Sequence, residues 1–212
     1  MGLLGSVWSY MLQHSDRLGA ETARHLEYAA VALAIALAIC VPLGVLASRS
    51  RAASLVVINL FGTARVVPSI AILFLALPFL GLGFTPALIA LTVLACPPIL
   101  INTSAGFSGV DPAVIESARG MGMSPSQILW RIEFPLALPV LLAGVRIATV
   151  EVIASATLAT FIGGGGLGDF IAEGFSTLNT TLLLVGAIPV ALIALCAQLL
   201  LSGLQRVLSP AA

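Results

Sequence analysis

Five apolar stretches, each near the length needed to cross a lipid bilayer, constrain this chain more than any other feature. The hydrocarbon core of a bilayer is about 30 Å thick, and a helix needs about 20 apolar residues to cross it. Of the 212 residues, 59% are hydrophobic and 8% are charged, which is too little polar surface to coat a water-soluble protein of this length. The sequence therefore predicts an all-α polytopic membrane protein with five transmembrane helices, at 29–48, 55–82, 86–107, 136–162 and 181–203.

These spans divide the chain into three regions. Residues 1–28 mix apolar and charged side chains, and Trp8 and Tyr10 are suited to the level of the lipid headgroups, so we expect an extracytoplasmic or interfacial helix there. Residues 29–203 form the transmembrane domain, with one long polar loop at 111–135. Residues 204–212 form a short tail.

The arginines predict the orientation of the chain in the membrane. Short loops on the cytoplasmic side carry an excess of basic residues. With five spans, the three Arg-bearing segments share one side of the membrane; they contain Arg49 and Arg51, Arg119 and Arg131, and Arg206. This pattern predicts an extracytoplasmic N-terminus, a cytoplasmic C-terminus and a cytoplasmic location for the loop 111–135.

The sequence lacks the residues that several other functions require. The chain contains no Lys, so it has no Walker A phosphate loop and cannot by itself hydrolyse ATP in the usual way. His14 and His25 are the two histidines and both precede the first span, so the alternative of an intramembrane hydrolase has no visible catalytic base. The three cysteines lie singly in different apolar stretches and predict no metal site. The formal net charge of zero does not favour nucleic acid as a partner.

The loop 111–135 carries two helix-start signals. Asp111 before Pro112 is one, and the second is Ser124, followed by Pro125 and by Gln127 in a capping-box position. Two short helices should therefore meet at a turn near 120–123 and form a compact knob. Its apolar residues suit a protein contact surface, although an amphipathic element lying on lipid headgroups is the alternative; they are Met121, Met123, Ile128 and Trp130.

The spacing of the polar loop resembles the signature loop of ATP-binding-cassette (ABC) importer permeases. That pattern is Glu-Ala-Ala, three residues, Gly, nine residues, then Ile-x-Leu-Pro. The matching positions here are Glu116, Ser117, Ala118, Gly122, Ile132 and Pro135. Ser117 stands in place of Ala and Phe134 in place of Leu, and the spacing is intact.

Two further segments resemble the osmoprotectant branch of these permeases, whose members import glycine betaine, choline, carnitine or proline betaine. The stretch 67–71 resembles a Pro-Ser-hydrophobic-Ala motif, and 157–168 resembles the Phe-Ile-Gly-x-Gly-Gly-Leu-Gly ending. The resemblance implies the five-helix core of a type I, methionine-permease-like importer. A methionine-type permease is the nearest alternative, and a secondary transporter or channel is a more distant one.

The resemblance also implies a set of partners. Such a subunit lies in the bacterial cytoplasmic membrane, pairs with an identical or different permease chain, and receives solute from an extracytoplasmic binding protein. Two ATPase subunits bind ATP and Mg²⁺ and dock on the signature loop. No cofactor is expected in this chain itself.

Charged and helix-breaking residues inside the spans are candidates for the translocation pathway, because an intramembrane charge costs at least about 2.5 kcal/mol unless it is paired or hydrated. The candidates are Arg65, Pro68, Ser69, Glu151 and Thr157. For Arg146 we expect a structural role, either pairing with Glu151 across helices or snorkelling to the cytoplasmic interface. Pro68 interrupts its span and predicts either a pore-lining bend or a packing kink.

The aromatic residues bear on solute recognition. An aromatic cage is the usual site for a quaternary ammonium group, but the two Trp and two Tyr lie outside the spans. We therefore expect a separate binding protein to supply high-affinity recognition.

The glycines at 163, 165 and 168 match a nucleotide-binding pattern by letter, but no strand precedes them, as that pattern requires. They predict a flexible turn into a short re-entrant or gate segment at 167–175.

Overall fold

The computed structural model describes residues 2–208, and across them the chain is a succession of helices. Of the predicted tail, 209–212 lie outside the described residues. A π-helical turn at Leu129–Glu133 joins α7 to α8, and a 3-10 stretch at Thr157–Ile162 follows α8. The α-helices are α1 (Leu3–Gln13), α2 (Ser15–Ser48), α3 (Arg51–Ala64), α4 (Ser69–Leu80), α5 (Phe84–Ser108), α6 (Pro112–Gly120), α7 (Pro125–Ile128), α8 (Phe134–Ala156), α9 (Gly168–Ser176) and α10 (Thr180–Leu208).

Four helical segments in the described part are long and apolar enough to cross a membrane: Ser15–Ser48, Phe84–Ser108, Pro125–Ile162 and Thr180–Leu208. They contain the first, third, fourth and fifth predicted spans. Prolines lie inside each of these segments, and spanning helices tolerate them because neighbouring groups satisfy the freed backbone.

The second predicted span, 55–82, consists of two shorter apolar helices, α3 and α4. Helix α3 ends at Ala64, and α4 begins at Ser69 directly after Pro68. Proline has no N–H to donate, and its ring disfavours helical backbone at the preceding residue, so the helix stops before it and restarts after it. Each half is shorter than the about 20 residues that a spanning helix needs.

Helix α2 begins well before the first predicted span. It runs for 34 residues without interruption from Ser15, so the helix continues through residue 28. At about 1.5 Å per residue it is about 50 Å long, which exceeds the hydrocarbon thickness of about 30 Å. Its first half carries Arg17, Glu21 and Arg24, whereas its second half is apolar.

The contacts divide the chain into two compact units. The first comprises Met1–Ile35, Val67–Ala95 and Thr149–Gln198. Its apolar cluster is formed by α1, α9, α10 and the loop before α9, with buried Val7, Leu167, Phe170, Leu182 and Val185. Helix α1 packs against α10, where Trp8 and Val7 share a surface groove with Ile188 and Leu192. Trp8 remains 63% exposed in this single chain.

The second unit comprises Ala36–Val66, Cys96–Ala148 and Leu199–Ala212. Its apolar cluster has buried Phe107, Ala137 and Leu141 at the centre. Helices α5 and α8 approach closely at Gly144, where an added Cβ would lie 2.6 Å from the Pro98 carbonyl oxygen. Glycine is therefore required for this contact, as at many helix crossings in membranes. Ser54 on α3 and Ser104 on α5 share a buried hydrogen bond of 2.9 Å.

Candidate functional site

The loop 111–135 lies entirely within the second unit and folds into two capped helices, as predicted. The Asp111 carboxylate accepts a 2.9 Å hydrogen bond from the backbone N–H of Ala113, with Pro112 at the first helical position of α6. Aspartate at this position satisfies an N–H that has no partner within the helix. The start of the loop is therefore specified by residues adjacent in sequence.

Gly122 ends α6 in a Schellman motif. Its φ of +80° is left-handed, its N–H donates to the Arg119 carbonyl, and the N–H of Met123 donates to the Ala118 carbonyl. Those two bonds satisfy carbonyls that the end of the helix leaves free. Glycine adopts this conformation at no steric cost, whereas other residues require about 1–2 kcal/mol. The glycine of the signature pattern thus has a backbone role here.

Ser124 starts α7 with a complete capping box. Its hydroxyl accepts from the N–H of Gln127, and the Gln127 side chain accepts a 2.8 Å bond from the N–H of Ser124. The helix then widens into the π-helical turn, in which the N–H of Phe134 donates to the Leu129 carbonyl five residues earlier. Pro135 follows immediately and has no N–H to continue the regular ladder. A π-turn at this point accommodates the proline within a continuous helical segment.

The signature residues fall into an outer and an inner group. Glu116 and Ser117 are exposed on α6, while Ala118 beside them is only 1% exposed. A small side chain at 118 thus lets α6 pack onto the rest of the loop. Ile132 is partly buried and Pro135 is exposed. Two large apolar side chains also face outward, Met121 at 75% and Trp130 at 62% exposure.

An ion pair at the base of the loop was not predicted. Arg49, directly after α2, donates two hydrogen bonds to the carboxylate of Glu133, Nη1 to Oε1 at 2.7 Å and Nη2 to Oε2 at 2.6 Å. The Glu133 side chain is 5% exposed and that of Arg49 is 48% exposed. Hydrogen bonding to Glu133 raises the pKa of Arg49, although partial burial opposes this effect. The pair borders an open cleft of about 530 Å³, whose wall also includes Arg119, Met123 and Ile128.

The positions of the charged residues in the sequence could have indicated this ion pair. The arginine pattern assigns Arg49 to the cytoplasmic side, and Glu133 precedes the fourth predicted span on that same side. A carboxylate at the start of an apolar span needs a partner, because burying an unpaired charge is costly. In the sequence Arg49 indicated orientation alone, and Glu133 occupies the variable position of the Ile-x-Leu-Pro motif.

The pathway candidates are distributed over both units. Arg65 caps the end of α3 in the second unit. Pro68 and Ser69 start α4 in the first unit, which also contains Glu151 and Thr157. Thr157 begins the 3-10 stretch, and its hydroxyl donates to the Ala154 carbonyl at 2.7 Å. Helix α4 packs against this stretch within the first unit.

Arg146 has a structural contact. Its Nη1 donates a 3.2 Å hydrogen bond to the Ser202 hydroxyl, which links α8 to α10 within the second unit. Nearby, the side-chain amide of Gln205 donates to the Pro139 carbonyl at 2.9 Å. These two bonds hold the last part of α10 against α8. Arg146 thus contacts a hydroxyl group on another helix, and its structural role stays a prediction.

The glycine-rich loop before α9 is buried at 164–168 and hydrogen-bonded to α2. The Tyr28 hydroxyl donates to the Gly164 carbonyl at 2.7 Å, and the Gly166 N–H donates to the Glu21 carboxylate at 2.7 Å. Gly165 and Gly166 have φ of +77° and +90°. The first half of α2, which carries Glu21 and Tyr28, thus supports a loop 136–145 residues later in the chain.

Polar contacts continue from this loop onto α9. Arg17 forms a 2.8 Å ion pair with Glu173 and lies 4.5 Å from the centre of the Phe170 ring. The Thr160 hydroxyl donates to the Asp169 carboxylate. Helix α9 is therefore anchored on both sides within the first unit. The segment 167–175 was predicted from the sequence, but the residues that hold it were not.

Comparison with known proteins gives consistent results for sequence and fold. Residues 40–212 match the family of binding-protein-dependent transport system inner membrane components. The carnitine transport permease protein OpuCB of Listeria monocytogenes is 42% identical over 209 residues, covering 99% of this chain and 96% of that protein. The choline transport system permease protein OpuBB of Bacillus subtilis is 38% identical, covering 97% and 94%. The osmoprotectant import permease protein OsmW of Salmonella typhimurium is 36% identical, covering 95% and 96%.

The fold is also found among solved structures. A chain of the inward-facing MetNI methionine ABC transporter superposes with a TM-score of 0.78 at 24% identity, covering 91% of this chain and 96% of that one. At this identity the similarity concerns the fold alone, and it agrees with the predicted type I permease core. Because the family match extends from the second half of α2 to the end of the chain and includes the entire signature loop, this chain belongs to the binding-protein-dependent transport system inner membrane components.

Proposed function

We propose that the chain is the permease subunit of an ABC importer that moves a compatible solute into the cell. The solute class is glycine betaine, choline, carnitine or proline betaine. The support comes from relatives that are 36–42% identical over nearly the whole chain and whose names specify carnitine, choline or osmoprotectant transport. Methionine is the second candidate, supported by a similarity of fold.

The observation that carries the proposal is the shape of the signature loop. Its two capped helices expose Glu116 beside a buried Ala118, and Gly122 ends the first helix in a left-handed turn. Local caps define this knob, so it has a persistent shape that a partner can recognise. In the proposed complex each knob docks on one ATPase subunit through its exposed residues Glu116, Ser117, Gly122 and Pro135, and the buried Ala118 and partly buried Ile132 maintain its shape.

The energy source in this proposal is a partner. The chain contains no Lys for a Walker A loop, so two ATPase subunits bind ATP and Mg²⁺ and supply the work. A second permease chain completes the pore, and an extracytoplasmic binding protein delivers the solute. The loop 111–135 and the C-terminus face the cytoplasm of a bacterial cell, and the N-terminus faces outside.

The proposed pathway involves the break between α3 and α4 together with the residues at the end of α8. Arg65, Pro68 and Ser69 lie at the break, where non-helical backbone persists in membranes only if protein or water satisfies it. Glu151 and Thr157 are the candidates on the α8 side. Tyr28 is fully buried and its hydroxyl bonds to Gly164, so its polar end is already engaged. High-affinity recognition therefore falls to the binding protein.

Co-expression with the ATPase subunit tests the docking role. We expect the wild-type permease to capture the ATPase subunit, and Gly122→Trp or Glu116→Arg to lose it while membrane insertion continues. Glu27→Arg is the matched control, because it makes the same charge reversal at an exposed helical position in the other unit. Unchanged co-purification of the Gly122 and Glu116 variants would refute docking through this loop.

Uptake by reconstituted complexes tests the solute class. Proteoliposomes that contain the permease, its ATPase subunits and the binding protein should accumulate labelled choline, carnitine or glycine betaine only when ATP is supplied. Methionine uptake in the same vesicles would support the second candidate. Accumulation without ATP would instead indicate a channel or a secondary transporter.

A further inference from the structure

The ion pair between Arg49 and Glu133 is a bidentate salt bridge with a fixed geometry. One guanidinium donates to both oxygens of one carboxylate, at 2.7 and 2.6 Å. Two parallel hydrogen bonds fix the relative orientation of the groups as well as their separation. Because Glu133 is almost fully buried, water competes poorly for this carboxylate.

The two residues lie at the end of the π-helical turn and directly after the end of helix α2. Glu133 is the last residue of the π-helical turn that ends the signature loop. Arg49 directly follows Ser48, the final residue of the 34-residue helix α2. The pair therefore joins the loop to the end of α2 across 84 residues of sequence.

An apolar cluster also connects α2 to the segment around Glu133. Val41 and Val45 from α2 pack on it, as do Leu129 and Phe134 from either side of Glu133. Apolar contacts hold surfaces together but allow sliding, because they have little directional preference. The bidentate pair adds the directional preference that the apolar contacts lack.

We propose that Arg49 and Glu133 are positioning residues that transmit movement of the signature loop to helix α2. This inference rests on the proposed function, since it presupposes an ATPase subunit that moves the loop. It assigns to the pair a role in coupling that is separate from docking. Docking depends on the exposed face of the knob, whereas Glu133 is buried at its base.

The variants separate transmission from folding. Glu133→Gln and Arg49→Gln each break the ion pair, and Arg49→Gln also leaves a buried carboxylate unpaired, which reduces the yield of folded protein. The double variant Arg49→Gln/Glu133→Gln removes both charges together and avoids that problem. Arg49→Lys keeps the charge but cannot make the bidentate contact. Arg51→Gln is the matched control, because Arg51 is an exposed arginine two positions further along.

The measurements are made on complexes purified through the permease and reconstituted with the binding protein. They are the ATPase subunits retained per permease chain, the rate of ATP hydrolysis, and the solute taken up per ATP hydrolysed. We expect the single and double Gln variants to retain the ATPase subunits and to hydrolyse ATP. Uptake per ATP should fall about tenfold, the size typical of a lost coupling contact. Arg49→Lys should be intermediate and Arg51→Gln unchanged.

Three results would overturn the inference. If the assembled double variant keeps its uptake per ATP, the pair only stabilises the fold. If the variants lose the ATPase subunits, the pair serves docking. If Arg51→Gln loses as much uptake per ATP as Arg49→Gln, the effect is one of general cytoplasmic charge. A wild-type chain that captures no ATPase subunit would contradict the proposed function itself, before any variant is compared.

Discussion

The hydroxyl group of Tyr28 donates a 2.7 Å hydrogen bond to the carbonyl oxygen of Gly164, 136 residues later in the chain. The Tyr28 ring is fully buried and stacks on Phe84 at 4.6 Å between centroids. An added Cβ at Gly164 would lie 2.9 Å from the same hydroxyl oxygen, so the loop passes very close to the tyrosine. Helix α2 thus fixes the position of the glycine-rich loop that leads into α9.

Replacing Tyr28 with Phe should destabilise the protein. The substitution leaves a carbonyl at a buried loop position without its donor, which costs about 1–3 kcal/mol. For a chain of this size we expect the apparent Tm to fall by about 2–12 °C in a thermal unfolding assay of the detergent-solubilised protein. Tyr10→Phe, at a partly buried ring that stacks on His14, is the control and should stay near the wild-type value. Equal Tm values for the two variants would contradict the role of the Tyr28 bond.

Alanine at Gly122 should weaken capture of the ATPase subunit, whereas alanine at Gly120 should not. An added Cβ meets nothing within 4 Å at either position, so the difference lies in the left-handed φ of Gly122. Forcing alanine into that conformation costs about 1–2 kcal/mol, and Gly120→Ala in a helical position is neutral or stabilising. Titration of the purified permease with the ATPase subunit should give an about 5- to 30-fold weaker Kd for Gly122→Ala.

Gly122→Asn provides a finer test of the same turn. Asparagine tolerates left-handed backbone better than alanine does, so its Kd should lie between those of the wild type and Gly122→Ala. If asparagine and alanine bind equally weakly, side-chain bulk rather than backbone conformation is the cause.

Removing the cap of α7 should loosen the second half of the loop. Ser124→Ala loses the side-chain acceptor for the Gln127 N–H, and loss of such a cap costs about 1 kcal/mol. We expect faster hydrogen exchange of the amides at 126–129, about fivefold for that free energy. Ser126→Ala, an exposed serine within α7, is the control. Identical exchange in the two variants would show that the capping box is dispensable.

Cysteine labelling should report the orientation of the loop. In a variant without the three native cysteines, Ser126→Cys and Ser176→Cys each add one exposed thiol. A membrane-impermeant maleimide should label residue 176 in right-side-out vesicles and residue 126 in inside-out vesicles. Labelling of residue 126 from the outer face would place the signature loop away from any cytoplasmic ATPase and would refute the proposed topology.

Features that depend on neighbouring residues were predictable from the sequence. The caps at Asp111 and Ser124 lie within three residues of the groups they bind, so their spacing alone identified both helix starts. The interruption at Pro68 was likewise visible, because proline affects only its own backbone and that of adjacent residues. The long apolar stretches predicted the spanning helices, since crossing a bilayer requires length and composition rather than a particular partner.

Sequence alone therefore determined the class of the protein, the positions of its long helices and the local shape of the signature loop. Tertiary structure decided which distant polar groups meet: Arg49 with Glu133, Tyr28 with Gly164, and Arg146 with Ser202. The physical reason is that a cap or a proline break acts through bonded neighbours, whereas these pairs depend on how helices pack and rotate against one another. An apolar span fits a membrane in many rotations, and its few polar groups acquire partners only when packing selects one of them.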